Sequence, residues 1–245
     1  MVVEDFGERS YESVPVRIFR LLHDNHFYPL VVASITAMGF YFAERWTSEW
    51  RGPRLHLNLF LAWVPYFLGI ALMLSASFSG GRLVSAMRVF CLLAWFFFFP
   101  NAPYLITDFA YLDWAHFDLW QRVAIFCIFA QCGLMLAMVS LLIIEKQTSA
   151  WYGIAFSKVL VVAAIVFSGF GVYVGRFLRW NSWDLLYHPY SVFLDSLGKL
   201  SEPMHGIRPI VFSAMFSLIL GTYYYFVVSL TKRRVDKNVP RRYED

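Results

Sequence analysis

The sequence predicts an all-α polytopic membrane protein, a six-transmembrane-helix bundle with short interfacial or re-entrant helices on its outer side. Of its 245 residues, 59% are apolar, 20% are aromatic and only 16% are charged. Soluble domains average about 45–50% apolar and about 25% charged residues. A soluble fold of this composition would expose large apolar patches, and a disordered chain would need low hydrophobicity and high charge. The chain is therefore expected to lie in a bilayer.

Six apolar runs provide the predicted spans. A hydrocarbon core of about 30 Å needs about 17–25 helical residues, and the runs lack the alternation of strands. We expect a cytoplasmic N-terminal segment over residues 1–26, a single membrane domain over 27–230 and a basic cytoplasmic tail over 231–245. The polar start of the chain predicts no signal peptide. The spans are 27–43, 57–78, 83–99, 123–144, 159–175 and 209–230.

Positive charge predicts the orientation. An even number of spans leaves both termini on one side, with residues 44–56, 100–122 and 176–208 on the other side. Without the tail the basic residues are nearly balanced, so the tail decides that both termini are cytoplasmic. A net charge of +4, bunched in the tail, gives no reason to expect nucleic acid. The basic residues of the tail are Lys232, Arg233, Arg234, Lys237, Arg241 and Arg242.

Some polar and small residues within the spans have structural explanations. Arg88 and Lys158 lie near span ends, where their side chains can reach the interface, and Gln131 is expected to bond a neighbouring helix. The fifth span has small residues at the spacings Ala164-x3-Ser168 and Gly171-x3-Gly175. Such spacings permit close helix approach, and a six-helix chain favours intramolecular packing over dimerisation.

A proline-rich stretch, FPNAPYLITD, follows the third span. Two prolines three residues apart cannot continue an α-helix unperturbed, and a residue before proline avoids the helical region. The third span should therefore end near Phe99. Asn101 could cap a short helix that begins near Pro103 and holds Asp108. This helix is too apolar for a free loop, so it should lie in the interface or dip back into the bundle.

A second unusual stretch, GRFLRWNSWDLL, ends the fifth span. If the helix continues, Arg176 and Arg179 share a face because they are three residues apart. Asn181 with Asp184 is typical of a cap on a following short helix. Residues 190–200 then predict an interfacial amphipathic helix.

The two stretches resemble a bacterial membrane family, domain of unknown function family 1361. The resemblance runs from about the second span to the sixth. It implies a polytopic bacterial membrane protein. It gives no indication of an activity or a cofactor and identifies no functional residues. With the charge bias, it leads us to expect a multi-pass protein of the bacterial cytoplasmic (inner) membrane.

The residues alone suggest one candidate site on the outer side. Acidic and basic groups near lipid are costly unless they are paired or solvated. One interpretation is therefore a structural lock between Asp108 and Arg176 or Arg179. The other is a binding site for a polar or anionic group, because arginines and a helix N-terminus both attract anions. The predicted binding residues are Asn101, Tyr104, Asp108, Arg176, Arg179, Asn181 and Asp184.

Three functions stay open at this point. The first is binding or transport of a lipid headgroup or anionic solute, with membrane lipids as partners. The second is an integral-membrane enzyme that acts on a lipid-linked headgroup, with Asp108 as base or metal ligand. The third is a structural or assembly protein whose polar motifs only lock the bundle. A metal site built from Asp108, Asp113, His116 and Asp118 is disfavoured, because Asp108 and Asp113 would not share a helical face. We therefore expect no metal.

Overall fold

The computed structural model of the chain describes residues 14–47, 54–78, 80–114, 119–180, 184–201 and 207–238. Within these ranges every regular element is helical, and six stretches are long and apolar enough to cross a membrane. The predicted all-α fold with six membrane spans is confirmed. These stretches are Phe27–Trp46, Leu55–Ser77, Arg82–Leu112, Leu119–Tyr152, Ile154–Leu178 and Ile207–Thr231.

The helices follow one another with short connections. They include a ten-residue 3₁₀-helix, Leu105–Trp114, and a π-helical turn, Val174–Leu178. The α-helices are α1 Val14–Asp24, α2 Phe27–Thr47, α3 Leu55–Leu74, α4 Arg82–Phe98, α5 Asn101–Tyr104, α6 Leu119–Tyr152, α7 Ile154–Tyr173, α8 Asp184–Tyr187, α9 Pro189–Ser201 and α10 Ile207–Asn238. The predicted helix over 190–200 corresponds to α9.

Helix α6 forms the centre of the bundle. Its 34 residues extend about 51 Å, which exceeds the hydrocarbon thickness. It packs against α2, α3, α5, the 3₁₀-helix and α7, whereas α10 packs mainly against α7. Large aromatic side chains fill the interior, and Trp95, Phe126 and Phe129 are fully buried. Apolar side chains also cover the exterior, as expected where lipid is the solvent.

Small residues let the helices approach closely. A Cβ atom added at Gly133 on α6 would lie 2.4 Å from the carbonyl oxygen of Ala102 on α5. In the fifth span, Gly171 faces Pro100 and Gly175 faces the ring of Tyr104. The small residues of this span therefore serve intramolecular packing, as predicted.

Alternating spans divide the molecule into two ends. We call the end that holds the two unusual stretches the motif side and the other end the opposite side. On the opposite side, Arg88 donates to the carbonyl oxygen of Ser75 at 2.7 Å and stacks on Trp151, so it caps the end of α3. Lys158 bonds Glu145 of α6, which the sequence did not indicate. Gln131 is exposed, and the expectation that it bonds a neighbouring helix is not supported.

Candidate functional site

The third span breaks where the two prolines predict. Helix α4 ends at Phe98, and Asp108 lies in the separate 3₁₀-helix. The break is a kink, because Phe99 and Pro100 keep right-handed helical angles. Phe99 is fully buried, so packing overrides the usual avoidance of that region before proline. The kink carries the 3₁₀-helix over α6 and holds Asp108 inside the bundle.

The predicted cap at Asn101 is wrong. Helix α5 begins at Asn101 itself, with Pro100 in the cap position and no side-chain cap bond. The Asn101 side chain points backward and donates from Nδ2 to the carbonyl oxygen of Phe98 at 2.9 Å. This bond satisfies one of the free carbonyls at the end of α4. Asn101 therefore joins the two halves of the broken span.

The fifth span ends in a way that separates its two arginines. The π-helical turn Val174–Leu178 contains Arg176, and Arg179 then adopts a left-handed conformation with φ of 61°. The helix therefore ends before Arg179, so the condition under which the two arginines would share a helical face is not met. Arg176 points into the bundle with its side chain 7% exposed, whereas Arg179 is exposed. Single π-helical turns of this kind occur frequently at functional sites.

Arg176 and Asp108 form a buried ion pair. Nη2 of Arg176 lies 2.5 Å from Oδ1 of Asp108, whose side chain is 0% exposed. Asn58 of α3 donates from Nδ2 to both carboxylate oxygens, at 3.3 and 3.1 Å. The predicted proximity of Asp108 to an arginine is confirmed. The pair links α3, the 3₁₀-helix and the end of α7.

Three further residues hold the guanidinium of Arg176. The hydroxyl of Thr107 accepts from Nε at 3.0 Å and from Nη2 at 2.7 Å. The central carbon of the guanidinium lies 4.5 Å from the ring centre of Tyr104 and 4.8 Å from that of Tyr111. Such cation–π contacts are strongest when water is excluded. We call Asn58, Tyr104, Thr107, Asp108, Tyr111 and Arg176 the Arg176 cluster.

One guanidinium nitrogen in the cluster has no partner. Nη1 of Arg176 is buried and has no hydrogen-bond partner among the described residues. A buried donor left unpaired costs about 1–3 kcal/mol, so such groups are rare without a water or ligand.

A polar cavity lies beside the cluster. It measures about 70 Å³, enough for a few water molecules or one small polar group. Asn58 and Tyr104 belong to both the cluster and the cavity wall. The remaining lining residues are Leu61, Pro100, Asn101, Gly171, Gly175 and Trp180.

Trp180 connects the cavity to helix α9. Its indole nitrogen donates to Oδ2 of Asp195 at 3.0 Å, which fixes the ring at the cavity wall. Neither of the two predicted site residues that follow Trp180 in the sequence is among the described residues that line the cavity. Asp184 is half-buried at the first residue of α8, and Asn181 lies outside the described residues.

Asn58, Tyr111 and Trp180 were missed as site residues by the sequence reasoning. Asn58 carried a usable signal, because it is a polar residue one turn inside an otherwise apolar span. Tyr111 and Trp180 carried none, since aromatic residues are frequent along the whole chain.

The disfavoured metal site falls largely beyond what the structure describes. His116 and Asp118 lie outside the described residues, as does the side chain of Asp113. Among the described residues, no three His, Cys, Asp or Glu side chains are grouped so as to hold a metal ion. Asp108 is occupied by Arg176 and Asn58.

The fold and this cluster define a class: a polytopic helical membrane protein with a buried ion pair beside a polar cavity at one end of the bundle. The family model described as "Protein of unknown function (DUF1361)" matches residues 57–231, and the chain belongs to that family. The matched region begins at α3 and includes every residue of the Arg176 cluster. No curated protein and no solved structure matches the chain significantly.

Proposed function

We propose that the chain binds a polar or anionic group, from a lipid headgroup or a solute, in the cavity beside Arg176. The observation that carries this proposal is the buried Nη1 of Arg176, which has no partner among the described residues. Arg176 does not itself line the cavity, whose wall includes its cluster partners Asn58 and Tyr104, so an acceptor oxygen would have to reach past these side chains to pair with Nη1. Phosphate and carboxylate are the acceptors that a guanidinium binds best.

The cavity supports a small polar ligand group rather than an apolar one. Asn58 and Asn101 supply amides to its wall, and Trp180 supplies an aromatic face. A volume of about 70 Å³ is too small for a whole lipid, so a larger ligand would insert only its polar group. Gly171 and Gly175 face Pro100 and Tyr104 so closely that larger side chains there would disturb the cavity wall.

Charge balance limits the kind of ligand. Asp108 already neutralises Arg176, so the site offers hydrogen-bond donors with little net positive charge. Arg179 is exposed three residues further along the chain and could attract an anion toward this end. These features favour a singly charged or neutral acceptor group.

A ligand-dependent thermal shift tests the proposal. The purified full-length protein is heated in detergent with sodium dimethyl phosphate, which mimics a lipid phosphodiester, or with sodium acetate, which represents a solute, against sodium chloride at equal ionic strength. Binding to the native state alone should raise Tm, by an amount equivalent to about 2.7 kcal/mol at a hundred times Kd. The double variant Asp108→Asn/Arg176→Gln removes both charges and should abolish the shift.

An arginine on the opposite side serves as the control. Arg88→Gln also removes a guanidinium that donates to protein oxygens and stacks on an aromatic ring, yet it should keep the full shift. If neither anion raises Tm of the native protein beyond the salt control, the proposal that an anionic group binds at this site is wrong.

The second candidate function is a structural lock. It is favoured by the complete burial of Asp108 and by its bonds to α3 and the end of α7. The same burial disfavours an enzyme that uses Asp108 as a base, because no oxygen of the carboxylate is exposed. Absence of any ligand-dependent shift, together with a large loss of stability in the single variants, would select the lock.

A further inference from the structure

An apolar groove runs along the outside of the bundle between α7 and α10. Its volume is about 720 Å³, and its walls include Val162, Val166 and Phe170 of α7 and Ile210, Ala214 and Leu218 of α10. Along α10 the lining extends from Pro209 to Tyr224, which corresponds to about 22 Å of helix. The groove thus runs along about four turns of α10, within the membrane-spanning part of the helix.

Small residues of this interface are already used within the chain. A Cβ atom at Gly169 of α7 would lie 2.4 Å from the carbonyl oxygen of Ser213 and 2.4 Å from Oγ of Ser217. Ser217 also donates to the carbonyl oxygen of Ile165 at 3.3 Å. The close approach at Gly169 therefore joins α7 to α10 within one chain, whereas Ala214 and Gly221 line the groove.

A cation lies at one end of the groove. Lys158 precedes Val162, Val166 and Phe170 at four-residue intervals, so it continues their row on α7. Its Nζ atom donates to the hydroxyl of Tyr224, which itself lines the groove, at 3.1 Å. That hydroxyl donates its own proton to Glu145. The Lys158 side chain is 47% exposed although it also pairs with Glu145.

More positive charge follows on the same side. Helix α10 continues past Tyr224, and its next eight to ten residues reach Lys232, Arg233 and Arg234, about 12–15 Å further along the axis. Basic residues at the membrane surface attract anionic headgroups. The apolar groove thus ends where the chain is positively charged.

We propose that this groove binds one acyl chain of an anionic phospholipid, with the phosphate bound by Lys158. An acyl chain matches the apolar lining of the groove. The ammonium of Lys158 donates to Glu145 and Tyr224, and its third proton can be donated to the phosphate. The site lies on the opposite side from the Arg176 cluster, so it goes beyond the function proposed above and stands independently of it.

Native mass spectrometry of the full-length protein tests the inference. The protein is equilibrated with equimolar phosphatidylglycerol and phosphatidylcholine of the same acyl chains, and retained lipids are counted. We expect one retained phosphatidylglycerol, in about fivefold or greater excess over phosphatidylcholine. Ala214→Trp fills the groove and should abolish retention of both lipids, whereas Ile219→Trp, at an exposed position of α10 away from the groove, should not.

The double variant Glu145→Gln/Lys158→Gln isolates the headgroup contact. It removes both charges together, so the bundle keeps its charge balance, and it should equalise retention of the two lipids. Thermal unfolding of each variant shows that it is folded. Equal retention of both lipids by the native protein, or unchanged retention in Ala214→Trp, would overturn the inference. So would a dimer that only Ala214→Trp dissociates, because a second copy would then occupy the groove.

Discussion

The buried ion pair between Asp108 and Arg176 should dominate the response of this protein to single charge changes. In Asp108→Asn the carboxylate becomes an amide of nearly the same size, so the packing is kept. The guanidinium of Arg176 then stays buried, with its side chain 7% exposed and without its counter-charge. Asn58, which donates to both carboxylate oxygens, also loses one of its two acceptors.

The magnitude follows from the surroundings of Arg176. Removing one partner of a buried ion pair costs about 3–5 kcal/mol. Thr107 and the rings of Tyr104 and Tyr111 remain in contact with the guanidinium and still stabilise it. Desolvated cation–π contacts contribute up to about 2 kcal/mol to this stabilisation. We therefore expect a loss of about 3 kcal/mol in the free energy of unfolding. With about 2–4 °C per kcal/mol for a chain of this size, Tm should fall by about 6–12 °C.

A double-mutant cycle measures the pair itself. Asp108→Asn, Arg176→Gln and the double variant are unfolded in mixed detergent micelles, and the free energies are compared. The double variant leaves no unpaired charge, so it should regain about 2 kcal/mol relative to the sum of the single changes. Glu145→Gln is the matched control, because that acid is 19% exposed and its partner is 47% exposed, and it should cost about 1 kcal/mol or less.

Two results would refute this reasoning. One is a loss below about 1 kcal/mol in Asp108→Asn, comparable to that in Glu145→Gln. The other is additivity of the two single changes within about 0.5 kcal/mol, which indicates independent sites.

Two further predictions concern packing and topology. Gly133→Ala should lower the free energy of unfolding by about 1–3 kcal/mol, since its Cβ would lie 2.4 Å from the carbonyl oxygen of Ala102. Gly39→Ala, with nothing within 4 Å of the added Cβ, should be neutral or stabilising. Equal effects in thermal unfolding would contradict the close approach of α5 to α6. A reporter enzyme fused after Tyr243 should be active only in the cytoplasm, because the basic tail sets the orientation; activity on the other side of the membrane would reverse it.

Much of the fold was readable from the sequence because lipid imposes a local rule. Any spanning segment must be apolar and must satisfy its backbone internally, so composition and run length are enough to place six helices. The break near Phe99 was also readable, since proline removes a hydrogen bond wherever it occurs. Parity of the spans then placed Asp108 and Arg176 on the same side, and the structure brings them together.

The conformation at the ends of the spans was not readable in the same way. Asn101 has the composition of a helix cap, yet it bonds the carbonyl of Phe98, because packing keeps Phe99 and Pro100 helical. Arg179 has the right spacing to share a face with Arg176, yet a left-handed residue ends the helix there. Both outcomes depend on what the neighbouring helices allow.

The sequence by itself determined the six apolar spans, the proline break and the presence of charged groups at one membrane side. Only the tertiary structure decided which of two arginines pairs with Asp108, and that Asn58 of a different span joins them. The reason is that hydrophobicity and backbone rules act on each segment alone. The partners of a buried charge depend on the rotation and depth of every helix around it, and those are fixed by close contacts such as Gly133 against Ala102.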